Sequence, residues 1–83
     1  MQATRYFIEQ VLRKRPYLTF EMCQAVLANP LRSEAQEDGR VRHWCEVTLQ
    51  NETEPRILRV ITLVDGETVH NAFPDRNFRK DAQ

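Results

Sequence analysis

Residues 41–73 read VRHWCEVTLQNETEPRILRVITLVDGETVHNAF, and this stretch decides the fold. It opens on strict alternation: Val41, His43, Cys45, Val47 and Leu49 fall on one side and Arg42, Trp44, Glu46 and Thr48 on the other. A period of two belongs to a strand with one inward face, here the first set. Residues 50–55 are a polar loop ending in Pro55, and residues 56–64 carry Ile57, Leu58, Val60, Ile61, Leu63 and Val64. That run is apolar on both faces and predicts a central strand. Asp65-Gly66 then signals a hairpin, because a type I′ turn needs positive φ at both central positions. In residues 67–73 Glu67, Val69, Asn71 and Phe73 alternate against Thr68, His70 and Ala72, and Pro74-Asp75 closes the strand.

Toward the N-terminus Asp38-Gly39 repeats the hairpin signal, with a short strand predicted before it over residues 31–36. Upstream of Pro30 the period lengthens. Thr19 is placed as an N-cap, Glu21 lies in the first turn, and Met22, Cys23, Val26 and Leu27 form one apolar stripe that stops at Asn29 and Pro30. Residues 4–15 set Phe7, Ile8, Val11 and Leu12 on one helical face, ended by Pro16. Tyr6, Phe7 and Ile8 also suit a short strand, so an extended start leading into the helix stays open as an alternative. The fold class expected is α+β: two N-terminal helices packed on a four-stranded antiparallel meander sheet.

The chain has 83 residues, 41% of them hydrophobic and 29% charged, with two glycines and four prolines. Such a length holds one core, so a single domain over residues 1–83 is expected, frayed at 1–3 and 79–83. Twelve basic side chains cancel twelve acidic ones, so no overall field draws the molecule to nucleic acid or an anionic membrane. Local clustering would have to do so. Arg13, Lys14, Arg15, Arg76, Arg79 and Lys80 form two basic groups, whereas Glu34, Glu37, Asp38, Glu52 and Glu54 gather in the first two hairpin turns. Two cysteines are too few for a secreted disulfide scaffold, and no apolar run reaches the roughly 18 residues of a membrane span. A cytoplasmic protein without a membrane partner is expected.

His43-x-Cys45 with Cys23 lacks the paired spacing of a zinc site. Cys23 and Cys45 therefore read as small buried hydrophobes, with His43 at the sheet edge, and no metal or other cofactor is expected. Both glycines sit in hairpin turns, which leaves no phosphate-cradling loop for ATP or a dinucleotide. The densest chemistry lies between Arg59 and Lys80, where adjacent strands would gather Arg59, His70, Asn71, Asp75, Arg76, Arg79 and Lys80. Metal-independent RNA cleavage needs an acid or base near neutral pH and cations on the phosphate. His70 is the candidate for the first, Arg59 and Arg76 for the second, with Arg13, Lys14, Arg15, Arg79 and Lys80 as further RNA contacts. The plain structural alternatives are a single hydrogen bond for His70, cross-strand pairing of Arg59 with Glu67 or Glu46, and a local turn at Asp75-Arg76.

The stretches KRPYLT (14–19), VLANP (26–30), DGRVRHW (38–44), LRV (58–60) and DGETVHNAFPDR (65–76) resemble a widespread group of small bacterial proteins, common in cyanobacteria. That group is similar to the RelE/ParE-like toxins, especially their BrnT-like branch. The resemblance runs over residues 7–78 and implies a RelE-like fold that opens with a strand before its two helices, so that residues 4–8 would be that strand in short form. It also implies an endoribonuclease, ribosome-dependent or free, made beside a cognate antitoxin that covers its active face. Where relatives carry a His-x-x-Arg-like pattern in the first helix, this chain has Glu9 and Gln10 ahead of Arg13. The alternative function is a non-catalytic protein-interaction module, or a homodimer, using an exposed strand or the Trp44 face.

Overall fold

A computed structural model of the protein describes residues 2–49 and 51–78. Thr4 starts the first helix by accepting the Phe7 amide on its Oγ1 at 3.1 Å. The helix, α1, is a π-helical segment over Phe7–Val11 that runs directly into an α-helical turn at Leu12–Lys14. Phe7 and Val11 are fully buried, while Ile8 is turned out and 55% exposed. Ile8 thus leaves the apolar face that regular α spacing assigns it, as a wider turn requires. The second helix, α2, spans Phe20–Ala28, and Thr19 Oγ1 accepts the Met22 amide at 3.1 Å as its cap. Cys23 and Val26 are its buried residues.

The alternative of a strand over residues 4–8 is corrected, since Tyr6 already has helical φ and ψ. Extended pairing is confined to the residues just before. Ala3 makes a parallel bridge to Val69, the Val69 amide donates to the Gln2 carbonyl and the Thr4 amide to the Val69 carbonyl, both at 2.9 Å. Gln2 and Ala3, expected to fray, are therefore tied to Val69, through the Gln2 carbonyl and the bridge at Ala3; residues 1 and 79–83 lie outside the described residues.

Four antiparallel strands follow in the order β1-β2-β3-β4: Arg32–Ala35, Val41–Val47, Arg56–Thr62 and Val69–Pro74. The meander is as expected; its turns differ in kind. Among the described residues only Asn51, Gly39 and Gly66 have positive φ, so neither Asp38 nor Asp65 adopts the type I′ geometry. In both hairpins the glycine amide closes a tight turn three residues back, onto the Gln36 and Leu63 carbonyls at 3.0 Å. The aspartates serve as hydrogen-bond acceptors instead. Asp38 accepts the Arg40 amide, and Asp65 accepts the Glu67 and Thr68 amides together with the Thr68 hydroxyl. Leu63 and Val64 consequently leave β3 for the turn, where Val64 is 79% exposed.

The β3–β4 register jumps from Ile61 opposite Asn71 to Thr62 opposite Val69, which makes His70 the extra residue of a bulge. Simple alternation fails there: Val69 and Ala72 are both fully buried against the helices. α2 packs over β2 and β3, and α1 against β4. The core between the layers holds Phe7, Val11, Leu18, Cys23, Val26, Leu49, Leu58, Val60, Val69 and Ala72. Among the described residues the other face of the sheet carries no helix, and the segment after β4 folds back across it.

Candidate functional site

One rung of that open face crosses the whole sheet. Arg32 of β1 is opposite Trp44 of β2, Trp44 opposite Arg59 of β3, and Arg59 opposite Phe73 of β4. Cations and rings alternate along it, each guanidinium lying over an aromatic face. Arg32 is 5.3 Å from the Trp44 ring centre, and Arg59 is 5.4 Å from Trp44 and 5.1 Å from Phe73. Arg15, at the end of α1, adds a further cation 5.9 Å from Phe73. From the neighbouring rung Arg42 reaches the same indole at 5.9 Å. Phe78 stacks on Trp44 from above, ring centres 5.3 Å apart and planes 26° from parallel.

Asp75 ties the rung to the returning chain. Its Oδ2 accepts the Trp44 indole N–H at 2.8 Å and the Arg59 Nε–H and Nη2–H at 3.1 and 2.7 Å, while its Oδ1 accepts the Asn77 amide at 2.9 Å. Burial alone would lift the Asp75 carboxyl's pKa; the bonds from Trp44, Arg59 and Asn77 outweigh it and hold it below the usual carboxylate value. Arg32 is bound to Glu34, and Glu34 lies 3.9 Å from Arg42 Nη2. The buried Arg42 Nε finds no acceptor among the described residues. Arg32, Glu34, Arg42, Trp44, Arg59 and Asp75 line a cleft of about 240 Å³ with Asn77 and Phe78 at its rim. Among the described residues three guanidiniums face two carboxylates there, an excess of positive charge.

His70 is elsewhere. Its Nδ1 hydrogen-bonds the Thr4 hydroxyl at 3.0 Å and its ring stacks on Tyr6 at 5.0 Å, so it stands on the helix-covered side at the start of α1. Thr4 Oγ1 already accepts the Phe7 amide, which suits a Thr4 hydroxyl donating to an unprotonated Nδ1. Burial and then the charge of Arg40 lower the His70 pKa. Of the sequence-based trio, Arg59 is bound to Asp75 on the open face and His70 to Thr4 and Tyr6 at the start of α1, so the two have different surroundings. Arg76 is exposed in the turn after Asp75. Arg13 and Lys14 are exposed at the end of α1, and Arg79 and Lys80 lie outside the described residues. Arg59 pairs with Asp75, and Asp75 also makes the local turn bond to Asn77.

His43 is not at the sheet edge. It lies on an interior strand, 8% exposed, clamped between Ser33 Oγ at 3.0 Å and Thr62 Oγ1 at 3.1 Å, and burial lowers its pKa. Cys23 is fully buried and its thiol is pushed up to about 12, whereas Cys45 is half-buried with its Sγ 3.4 Å from the Asn29 carbonyl. Sequence reasoning missed Arg32, Glu34, Arg42 and Phe78 as members of the site. Their common signal is strand register, which residue types alone do not give. No protein-family model, no curated protein and no solved structure matches the chain. No helix among the described residues is long and apolar enough to cross a membrane.

Proposed function

We propose that the chain is an RNA-binding module of the toxin-like class its sequence resembles, holding the backbone of an unpaired strand on the open face of the sheet. One observation carries this: the rung Arg32–Trp44–Arg59–Phe73, flanked by Arg42, interleaves guanidiniums with aromatic rings across all four strands. Single-strand binders use that combination, cations for phosphates and rings for bases. Arg42 is the main phosphate ligand, because Arg59 is committed to Asp75 and Arg32 to Glu34, while Arg42 has only a loose contact with Glu34. Arg76 supplies an exposed cation beside the cleft.

Binding without cutting is the form that the side chains favour. The group nearest a neutral-pH acid or base, His70, stands at α1 on the other side of the sheet. An antitoxin made with such a chain would cover the open face and compete with RNA for it. The test is anisotropy of a short labelled single-stranded RNA titrated with the protein in EDTA. Binding should weaken with salt, and Arg42→Gln should lower affinity and reduce the log–log salt slope by about 0.7, one phosphate contact on a single strand. The strand should be recovered intact. Unchanged binding by a folded Arg42→Gln variant contradicts the proposal, and shortened RNA contradicts its non-cutting form, leaving Glu34 as the carboxylate to replace first.

A further inference from the structure

Trp44 is the sole tryptophan of the chain and the centre of the rung, yet it is only 4% exposed. What closes it is its own chain. Pro74 ends β4, Asp75 turns the backbone by accepting the Asn77 amide, and Phe78 arrives flat on the indole. Arg32 stands over both rings, 5.3 Å from Trp44 and 5.7 Å from Phe78, so the same guanidinium borders the stack. The covering ring brings no polar group and no ion pair to a cleft in which, among the described residues, three arginines face two carboxylates beneath an aromatic cover.

We infer that Phe78 occupies the seat of an unpaired nucleobase, and that single-stranded RNA binds by exchanging Phe78 for a base on Trp44 while its phosphate meets Arg42. This deepens the RNA-binding proposal above and rests on it. A planar ring already stacks on the indole, 26° from parallel, close to the arrangement a base would adopt there. The nucleotide adds what phenylalanine lacks, a negative charge for the Arg42 guanidinium, whose Nε has no acceptor among the described residues and whose Nη2 has only the 3.9 Å contact with Glu34. Duplex RNA offers no free base face and cannot make the exchange. The contact is thus self-inhibitory: affinity is set by the difference between two stacks, and Asp75, anchored to Trp44 and Arg59, returns the segment to its place when the strand leaves.

The test uses the full chain with a single-stranded RNA and a duplex of the same sequence, titrated into wild type, Phe78→Ala and Phe78→Trp. Removing an aromatic stack should tighten single-strand binding by about three- to tenfold. Phe78→Trp, which strengthens the internal stack, should weaken it, and the duplex should stay poorly bound by all three. Equal or weaker binding by Phe78→Ala, or tighter binding by Phe78→Trp, overturns the exchange while Arg42-dependent binding by wild type leaves the RNA proposal standing. If no variant binds the single strand at low salt, both fall together.

Discussion

Arg59 and Asp75 meet on one oxygen: two guanidinium N–H groups of Arg59 and the indole N–H of Trp44 all converge on Asp75 Oδ2. This junction links β2, β3 and the segment after β4, and it fixes the open face on which the functional account rests. Asp75 has only 6% of its side-chain surface exposed and Arg59 a quarter, so the pair is partly desolvated.

Asp75→Asn keeps the shape but removes the charge that three donors share. It should cost about 1–3 kcal/mol, the penalty for leaving partly buried donors under-satisfied. Urea unfolding measures it, and near-ultraviolet circular dichroism of the sole tryptophan should change in parallel. A variant as stable as wild type would mean that the junction contributes nothing.

Acid should unfold the protein in two stages. His43 and His70 have lowered pKa values in the folded state, so the unfolded chain takes up protons that the native imidazoles resist. Their contribution is whole above about pH 6.5 and is lost as pH falls through the lowered folded values. Asp75, also lowered, contributes fully above about pH 3.9 and loses that contribution below it. Urea midpoints measured from neutral to acid pH should begin to fall below about 6.5, and His43→Gln should flatten the first stage. A midpoint that does not fall at all between about pH 6.5 and the Asp75 stage contradicts the lowered pKa of both rings.

Much of this architecture is written locally. Thr19 before an apolar stripe, Pro30 after it, and the glycines of both hairpins suffice for α2 and the meander. The π turn of α1 is not legible, because Phe7, Ile8, Val11 and Leu12 satisfy an ordinary helix equally well; the shift shows only when the core accepts Phe7 and Val11 and rejects Ile8. The bulge at His70 is hidden for the same reason. Alternation predicts a regular strand, and the extra residue appears once Val69 must pair with both Thr62 and the N-terminal residues. That single insertion helps to place His70 by Thr4, away from the Asp75 junction that holds Arg59. Conversely, Arg32 and Trp44 become neighbours only through a register set by hairpin length, and Phe78 joins them through the bend at Asp75.

Gly66 has φ +73 with no heavy atom within 4 Å of where a Cβ would stand, so conformation alone decides a substitution. Gly66→Ala should cost about 1–2 kcal/mol, and Gly66→Asn less, because asparagine tolerates the left-handed region. Thermal unfolding of both variants checks the order. Equal stability of alanine and glycine would contradict the turn geometry.

The two thiols should separate in reactivity. Cys23, buried and with its thiol pushed up to about 12, should stay unlabelled by a thiol reagent in the native protein, while half-buried Cys45 reacts. One equivalent is expected before urea and a second after it. Two fast equivalents would contradict the packing of α2 on the sheet.

His70→Ala should leave RNA affinity unchanged while lowering stability by about 1 kcal/mol, through loss of the Thr4 hydrogen bond. Loss of RNA binding in a folded His70→Ala protein would return the histidine to the site.

The most direct test is nuclear magnetic resonance of the one indole N–H signal, that of Trp44, during titration with a short single-stranded RNA at low salt. This signal and those of β2, β3 and the Asp75–Phe78 turn should shift together and saturably, while signals of α2 stay in place. A saturable RNA complex that leaves the indole signal unmoved and shifts the helical side instead would contradict binding on the open face.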